Sequence, residues 1–272
     1  MSPEAARIRK AAVAGQFYPG SKERLEETVR SMIAGGRARK AIGAMVPHAG
    51  YEYSGAIAGE VYAKVATPDL FVILGPNHRG LGPPASIMTE GTWRLPGGDA
   101  FVDRTLGGDI LRNSRTLAAD EAAHSREHSI EVQLPFLMHL KKEVRFVPVS
   151  MMTSDAGVCR DIGMAVAAAI RDERRGVLVI ASSDMSHYET QEVAEEKDRH
   201  ALERILALDP AGLLDTVRDR DISMCGAAPA AVMLYACREL GATSASLVRY
   251  ATSGDVNGDY LQVVGYAGVI VE

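Results

Sequence analysis

The fold of this chain can be predicted from residues 177–187, Val-Leu-Val-Ile-Ala-Ser-Ser-Asp-Met-Ser-His. Its first half is a continuous apolar run, typical of a β-strand buried on both faces, and it stops at small polar residues and a histidine. Residues 44–48 and 71–78 have the same form. In open α/β sheets, ligands bind in the crevice beyond the carboxyl ends of the strands. We therefore expect three histidines to converge in one crevice, namely His48, His78 and His187.

Predicted strands alternate with predicted helices along residues 1–272, without a linker, low-complexity tract or internal repeat. This alternation is typical of one domain in which helices cover both faces of a largely parallel sheet. The apolar segments 243–251 and 260–271 are joined by a short turn, so we expect them to pair antiparallel. Pro148 within the strand at 144–150 predicts an edge or a strand end. The predicted fold is a single three-layer α/β/α domain with a mixed, largely parallel central sheet.

The composition, with 47% hydrophobic and 24% charged residues, is that of an ordinary globular protein. A net charge of −5 gives no reason to expect nucleic acid as a partner, because phosphate backbones attract clustered Lys and Arg. Residues 1–4 carry acid and proline where a signal peptide would carry basic residues, and no apolar run is long enough to cross a membrane. We expect a cytoplasmic protein without membrane contact.

The three cysteines have no CxxC spacing, which argues against a disulfide framework or a structural zinc finger. Cys159 and Cys237 fall inside predicted helices and are interpreted as buried apolar residues. Cys225 directly precedes a helix predicted over residues 227–240. A helix N-terminus lowers the pKa of a nearby thiol, so Cys225 is predicted to favour the thiolate, with a small buried side chain as the alternative.

Residues 125–140 are predicted to form a helix that begins with an unusual density of acid and histidine. In such a helix, Glu127 and Glu131 share one face, and His124 and His128 share another. Two histidines four residues apart also occur in zinc protease helices, but here the glutamate directly precedes the second histidine, so the signal is weak. The favoured interpretation is that these carboxylates and imidazoles orient metal-binding groups through hydrogen bonds.

Neutral imidazoles and a thiolate are good ligands for transition metals, and this set suits Fe(II), Cu or Zn. One histidine alone is better explained as a hydrogen-bonded polar residue near a strand end. Three at equivalent strand ends favour a shared site. Asp184, three residues before His187, is either a general base, a hydrogen-bond acceptor that orients a ligand, or a cap of the following turn.

Several motifs together resemble the Memo family, in order and over nearly the whole chain. They are VPHAGY (46–51), YSG (53–55), LGPNH (74–78), EHSIE (127–131), LPF (134–136), SSDMSHY (182–188), CG (225–226), SGD (253–255) and VGY (264–266). That family is similar in fold to the class III extradiol dioxygenases, in which two histidines and a glutamate hold non-haem Fe(II). The resemblance implies iron or copper binding and copper-linked redox chemistry.

Carried over by motif, the resemblance implies metal ligands His48, His78, His187 and Cys225, with Asp184 beside them. Cys225 stands where an extradiol enzyme offers its carboxylate, which departs from the two-histidine, one-carboxylate pattern and puts ring cleavage in doubt. Bacterial and archaeal members are described as the B component of a set with AMMECR-type and radical-SAM proteins. Such proteins are therefore implied as partners. Animal members are described as adaptors for phosphotyrosine peptides.

The leading hypothesis is a metal-dependent oxidoreductase or dioxygenase-like protein, with Cys225, Asp184 and His187 as the reactive residues. Asp184 or a neutral histidine would move protons beside the metal. One alternative is a binding or adaptor protein for a small-molecule or peptide ligand, which keeps the crevice without turnover. A third is a metal- or cysteine-dependent hydrolase, in which Cys225 acts as nucleophile with a histidine as base.

Overall fold

The three histidine-bearing strands lie side by side in the computed structural model, which describes residues 7–33 and 35–272. The start at residues 1–4, on which the expectation of no signal peptide rests, lies outside the described residues. The strands are β1 (Ile8–Lys10), β2 (Gly43–Val46), β3 (Leu70–Pro76), β4 (Ala85–Ile87), β5 (Thr92–Leu95), β6 (Gly98–Val102), β7 (Ala118–Ala119), β8 (Val144–Met151), β9 (Val177–Ser182), β10 (His187–Glu189), β11 (Ala245–Thr252) and β12 (Val263–Val271).

Helices connect and cover these strands. They are α1 (Lys22–Met32), α2 (Tyr51–Lys64), α3 (Arg104–Asn113), α4 (Ala122–Ser125), α5 (Leu134–Leu140), α6 (Ala156–Arg171), α7 (Gln191–Leu206), α8 (Pro210–Asp219), α9 (Ala227–Glu239) and α10 (Gly254–Asn257), with a 3₁₀ turn at Glu131–Gln133. Within the described ranges, none of the helices combines the length and the apolar character that crossing a bilayer requires.

The strand order β1-β5-β6-β8-β3-β9-β2-β12-β10 puts β3, β9 and β2 next to one another. These three strands are parallel, with Val46 opposite Ser182 and Leu74 opposite Ala181. Their carboxyl ends therefore finish at the same edge of the sheet. The predicted antiparallel pairing of the last two strands is confirmed for β11 and β12, and their connection contains α10.

Side chains of the parallel strands alternate between two buried clusters, one on each face of the sheet. Val72 and Val179 pack in the cluster that contains residues of α6 and α9. Phe71 and Ile180 pack in the cluster that contains residues of α1, α2 and α5. Because successive side chains of a strand point to opposite faces, a strand buried on both faces reads as continuously apolar. The predicted three-layer α/β/α domain with a mixed, largely parallel sheet is confirmed.

The prediction that Pro148 marks an edge or a strand end is wrong. Strand β8 is internal, pairing with β3 on one side and with β6 and then β4 on the other. The Pro148 carbonyl accepts a hydrogen bond from the Met88 N–H, so the proline nitrogen faces that second side. The paired registers there end at Phe146 and resume at Val149, and the missing N–H falls where the partner strand changes.

A fully buried carboxylate, Glu131, holds the N-terminal segment against the loop that leads to α5. It accepts hydrogen bonds from Ala12 N–H at 2.8 Å, Val13 N–H at 3.1 Å and Tyr18 OH at 2.6 Å, and it pairs with the buried guanidinium of Arg9. A buried ion pair contributes to stability only when its remaining atoms are satisfied, as they are here. These contacts fix the loop that leads to α5, which contains His128.

We expect Glu131→Gln to lower the free energy of unfolding by about 3–5 kcal/mol, because it leaves the Arg9 charge buried without a partner. Urea unfolding followed by circular dichroism measures this. The matched control is Glu143→Gln, whose exposed carboxylate lies 2.7 Å from Arg145 and whose loss should cost at most about 1 kcal/mol. Equal midpoints for the two variants would contradict this account of Glu131.

Candidate metal centre

His48 follows β2 and is held by groups on both sides of its ring. Its backbone N–H donates to Asp184 Oδ1 at 2.7 Å, and its ring Nδ1 lies 3.1 Å from Ser182 Oγ. The Ser182 hydroxyl donates its one proton to the Ser129 carbonyl at 2.6 Å, so it can only accept from the ring. Nδ1 of His48 therefore carries the proton, and Nε2 is left with a free lone pair.

His78 follows β3 and is oriented by the buried carboxylate of Glu127. The backbone N–H of His78 donates to Glu127 Oε2 at 2.6 Å, and its ring Nδ1 lies 2.9 Å from Oε1. The same carboxylate accepts hydrogen bonds from the N–H groups of His128 and Ser129, at 2.8 and 2.9 Å. A carboxylate on Nδ1 fixes the proton there and leaves Nε2 of His78 available to a metal.

His128 joins these two histidines, although the sequence analysis predicts only an orienting role for it. Donor atoms of His48, His78 and His128 all lie within 4.8 Å of one another. The ring centroids are 5.3 Å apart for His48 and His78, and 4.6 Å apart for His78 and His128. In the sequence, His128 directly follows Glu127 in the EHSIE motif, and this position could have indicated its role. The hydrogen bonds of Glu127 with the segments of His78 and His128 bring these two histidines together.

The predicted helix over residues 125–140 is interrupted, and this separates residues expected to share a face. Helix α4 ends at Ser125 and α5 begins only at Leu134. Glu127 and His128 therefore turn to the centre. His124 is instead buried against Trp93, with their ring centroids 6.0 Å apart. Both His124 ring nitrogens lack a hydrogen-bond partner among the described residues. The zinc protease pattern is not realised, because it requires an unbroken helix.

Cys225 reaches the centre from the turn before α9. Its Sγ lies 3.3 Å from His48 Nε2 and 3.7 Å from the Asp184 carbonyl oxygen. A side chain at Gly226 would place its Cβ 2.3 Å from Ser183 Cβ, so the turn can approach β9 only with glycine. The Cys-Gly motif is thus explained by close packing of this turn on the strand end.

The surroundings of Cys225 favour the neutral thiol and not the predicted thiolate. Desolvation in the crevice, followed by the nearby Asp184 carboxyl, raises the pKa of this thiol well above its ordinary value. A neutral thiol is a poor nucleophile, which argues against cysteine-based hydrolysis in this state. Cys159 and Cys237 are buried in the core, as expected.

Desolvation keeps two imidazoles of the centre, those of His48 and His128, neutral. Desolvation, followed by repulsion from the neighbouring histidines, lowers the pKa of His48 well below its ordinary value. Desolvation lowers the pKa of His128 to about 4. Desolvation also raises the pKa of Asp184 to about 6. Neutral imidazole is the form that binds a metal, so His48 and His128 are already in the form that a metal ligand requires.

Asp184 lies beside His48, and His187 is held by Ser223. Asp184 Oδ2 is 3.9 Å from His48 Nε2. The backbone N–H of His187 donates to Ser223 Oγ at 2.7 Å, and its Nδ1 donates to the Ser223 carbonyl oxygen at 2.9 Å, which leaves Nε2 free. His187 is outside the group of three imidazoles. Electrostatic interaction with His187 contributes to the lowered pKa of His48 and opposes the raised pKa of Asp184.

Tyr188, the residue after His187, has a strained backbone. Its φ of +59° lies in the left-handed region that residues other than glycine seldom adopt. It occupies an irregularity in the pairing of β10 with β12, and its side chain is 76% exposed. Strain of this kind costs on the order of 1–3 kcal/mol and tends to occur at ligand-binding sites. The exposed ring, with its centroid 6.0 Å from that of His187, borders the crevice.

Fold and crevice together define an α/β protein with a histidine-rich candidate metal centre at the carboxyl edge of its sheet. The family model described as Memo-like protein matches residues 9–270. A MEMO1 family protein of Methanopyrus kandleri is 43% identical over 96% of this chain and 98% of its own length. One of Methanosarcina acetivorans is also 43% identical, over 97% and 99%. The chain belongs to the Memo family, as its motifs predicted.

A solved structure shares the fold at much lower sequence similarity. An uncharacterized protein from Escherichia coli K12 matches with a TM-score of 0.55 and 14% identity, over 86% of this chain and 100% of its own chain. At this identity the likeness extends to the fold alone. It adds a second observation for the α/β architecture.

We expect Glu127→Gln to destabilise the chelator-treated protein by about 3 kcal/mol at pH 7, because an amide cannot accept from all four N–H groups. Burial opposes ionisation of Glu127, but its bonds with His78 and the backbone lower its pKa from 4.5 to about 2. Its contribution is therefore complete above pH 4.5 and is lost as the pH falls towards 2.

Urea unfolding of both proteins between pH 2 and 7 measures this difference. The control is Glu26→Gln, an exposed carboxylate 3.9 Å from Lys22, for which the change should stay within about 0.5 kcal/mol at every pH. A difference for Glu127→Gln that persists unchanged at pH 2 would show that the carboxylate charge is not the cause.

Proposed function

We propose that this chain binds one redox-active transition metal, iron or copper, in the crevice and supports oxidoreductase or dioxygenase-like chemistry there. Zinc is the third candidate. The observation that carries the proposal is the grouping of three imidazole donors within 4.8 Å of one another, with a thiol 3.3 Å from one of them. Imidazole and thiolate ligands suit Fe, Cu and Zn, whereas Mg and Ca prefer oxygen.

The residues present fit such an ion. Two ligands at about 2.1 and 2.3 Å from one metal are about 3.4–3.6 Å apart in a near-tetrahedral arrangement, close to the separation of His48 Nε2 and Cys225 Sγ. Nδ1 of His128 is buried and makes no hydrogen bond among the described residues, although it lies 3.2 Å from Glu127 Oε1. A buried nitrogen without a partner is costly, and a metal or a reorientation towards Glu127 would satisfy it. Metal binding would also remove the proton from the Cys225 thiol.

In this proposal His48, His78 and Cys225 hold the metal, with His128 as the third imidazole of the group. His187, which lies outside that group, remains a predicted ligand. When bound, iron or copper supplies one-electron redox chemistry and an open coordination position for a small ligand. Asp184 keeps His48 in place through its backbone N–H, and its other oxygen, 3.9 Å from His48 Nε2, can hold a proton beside the site.

Two further expectations remain predictions. They are the cytoplasmic location, drawn from the sequence, and the AMMECR-type and radical-SAM partners, drawn from the family resemblance. The adaptor alternative is a separate class, because a protein can keep this crevice and bind a ligand without turnover. The two following experiments separate metal binding from turnover.

Protein purified without chelator is expected to retain close to one equivalent of iron or copper, measured by plasma mass spectrometry. His48→Ala and Cys225→Ser should each weaken metal binding by at least about 100-fold, since loss of a supporting partner alone costs 10–100-fold. His139→Ala, an exposed histidine on α5, is the control and should retain the wild-type content. Wild-type metal content in both ligand variants, or no Fe, Cu or Zn in the wild type, would refute the site.

Oxygen consumption tests turnover. With Fe(II) supplied, we expect at least one member of a panel of catechols and small phenols to raise O2 uptake above the rate of the His48→Ala variant. An oxygen electrode makes this measurement directly. If uptake stays at the His48→Ala background across the panel while the metal is retained, the dioxygenase-like activity is excluded for these substrates and the adaptor alternative is favoured.

A further inference from the structure

A second cavity, of about 810 Å³, lies beside the histidine centre and is rich in positive charge. Its lining includes Lys10, Arg79 and Arg126. We call it the cationic cavity. The sequence does not reveal it, because these three residues come from three separate segments. Two of them directly adjoin the centre along the chain, since Arg79 follows His78 and Arg126 precedes Glu127.

The other charges in the lining are already paired. Arg9 pairs with Glu131, and Arg7 pairs with Glu121, the acidic residue of the lining. Among the described residues, no carboxylate lies within ion-pair distance of the three cations of the cationic cavity. Arg79 instead donates through Nε to the Arg126 carbonyl oxygen at 3.2 Å, which holds the two arginine segments together.

This concentration of cations is unexpected in a chain with a net charge of −5. Like charges in one cavity repel each other, and they are tolerated at lower cost when an anion offsets them. Guanidinium groups present N–H donors in a planar fork that matches the oxygens of a phosphate or carboxylate, and an ammonium adds a mobile point charge. The unpaired groups are therefore those that recognise an oxyanion.

The wall between the cationic cavity and the centre is thin. Gln16 lines the cavity, and the ring of the next residue, Phe17, has its centroid 4.6 Å from that of His128. The charge of Arg79 also acts on His128, where it contributes to the lowered pKa of the imidazole. A ligand in the cavity therefore has the histidine centre beside it.

We propose that the cationic cavity binds the anionic group, a phosphate or a carboxylate, of the small-molecule ligand of this protein. In that arrangement Lys10, Arg79 and Arg126 contact the oxyanion and position the rest of the molecule next to the histidines. Its role as a substrate site rests on the proposed metal-dependent function. Anion binding itself does not require the metal.

Isothermal titration of the chelator-treated, full-length chain tests the proposal, with pyrophosphate as the phosphate probe and citrate as the carboxylate probe. Lys10→Gln and Arg126→Gln should each weaken binding of the preferred probe about tenfold, the loss of one charge-assisted contact. Both positions are exposed, so the variants should fold. Raising NaCl from 50 to 500 mM should also weaken binding.

Lys142→Gln and Arg24→Gln are the matched controls, because they remove the same charges at exposed positions outside the cavity. Binding of either probe that is lost in the cavity variants and kept in the controls supports the proposal, and the preferred probe identifies the group. No binding of either probe at millimolar concentration, or equal binding in all four variants, overturns it. Metal content measured on the same preparations tests the histidine centre separately, so failure of one does not imply failure of the other.

Discussion

The structure of the centre depends on one buried carboxylate. Glu127 accepts hydrogen bonds from the backbone N–H groups of His78, His128 and Ser129 and from the His78 ring. Of these donors the Ser129 N–H is buried, and without a partner it would carry a desolvation penalty of about 1–3 kcal/mol. The carboxylate thereby joins the loop after β3 to the segment before α5, and it sets both the position of two histidines and the proton position on one of them.

A second network fixes His48 from the opposite side. Tyr62 OH donates to Gln133 Oε1 at 2.9 Å, and Gln133 Nε2 donates to Ser182 Oγ at 2.9 Å. Ser182 in turn donates to the Ser129 carbonyl and accepts from His48. All the groups in this hydrogen-bond network are buried and have hydrogen-bond partners, a condition that makes a polar network rigid. The two networks together hold His48, His78 and His128 with ligand atoms within 4.8 Å of one another, while desolvation keeps His48 and His128 uncharged, as metal binding requires.

Much of the fold follows from the sequence, because apolar runs ended by Gly, Pro or Ser encode buried parallel strands. The positions of His48, His78 and Cys225 follow from strand ends and a helix start, which are local signals. His128 does not follow, since its place depends on a break between α4 and α5 that the hydrogen bonds of Glu127 and Glu131 impose through tertiary contacts. The Cys225 thiol shows the same limit, because a helix N-terminus is visible in the sequence and desolvation is not. The internal position of Pro148 in the sheet is not predictable from the sequence either, because the change of partner strand beside β8 is also a tertiary feature.

X-ray absorption at the metal edge, on protein purified without chelator, identifies a bound element and its ligands together. We expect an iron or copper edge, with nitrogen ligands at about 2.0–2.1 Å and one sulfur at about 2.3 Å. A coordination sphere made only of oxygen, or the absence of any transition-metal edge, would contradict the claim that these histidines and Cys225 form a metal centre.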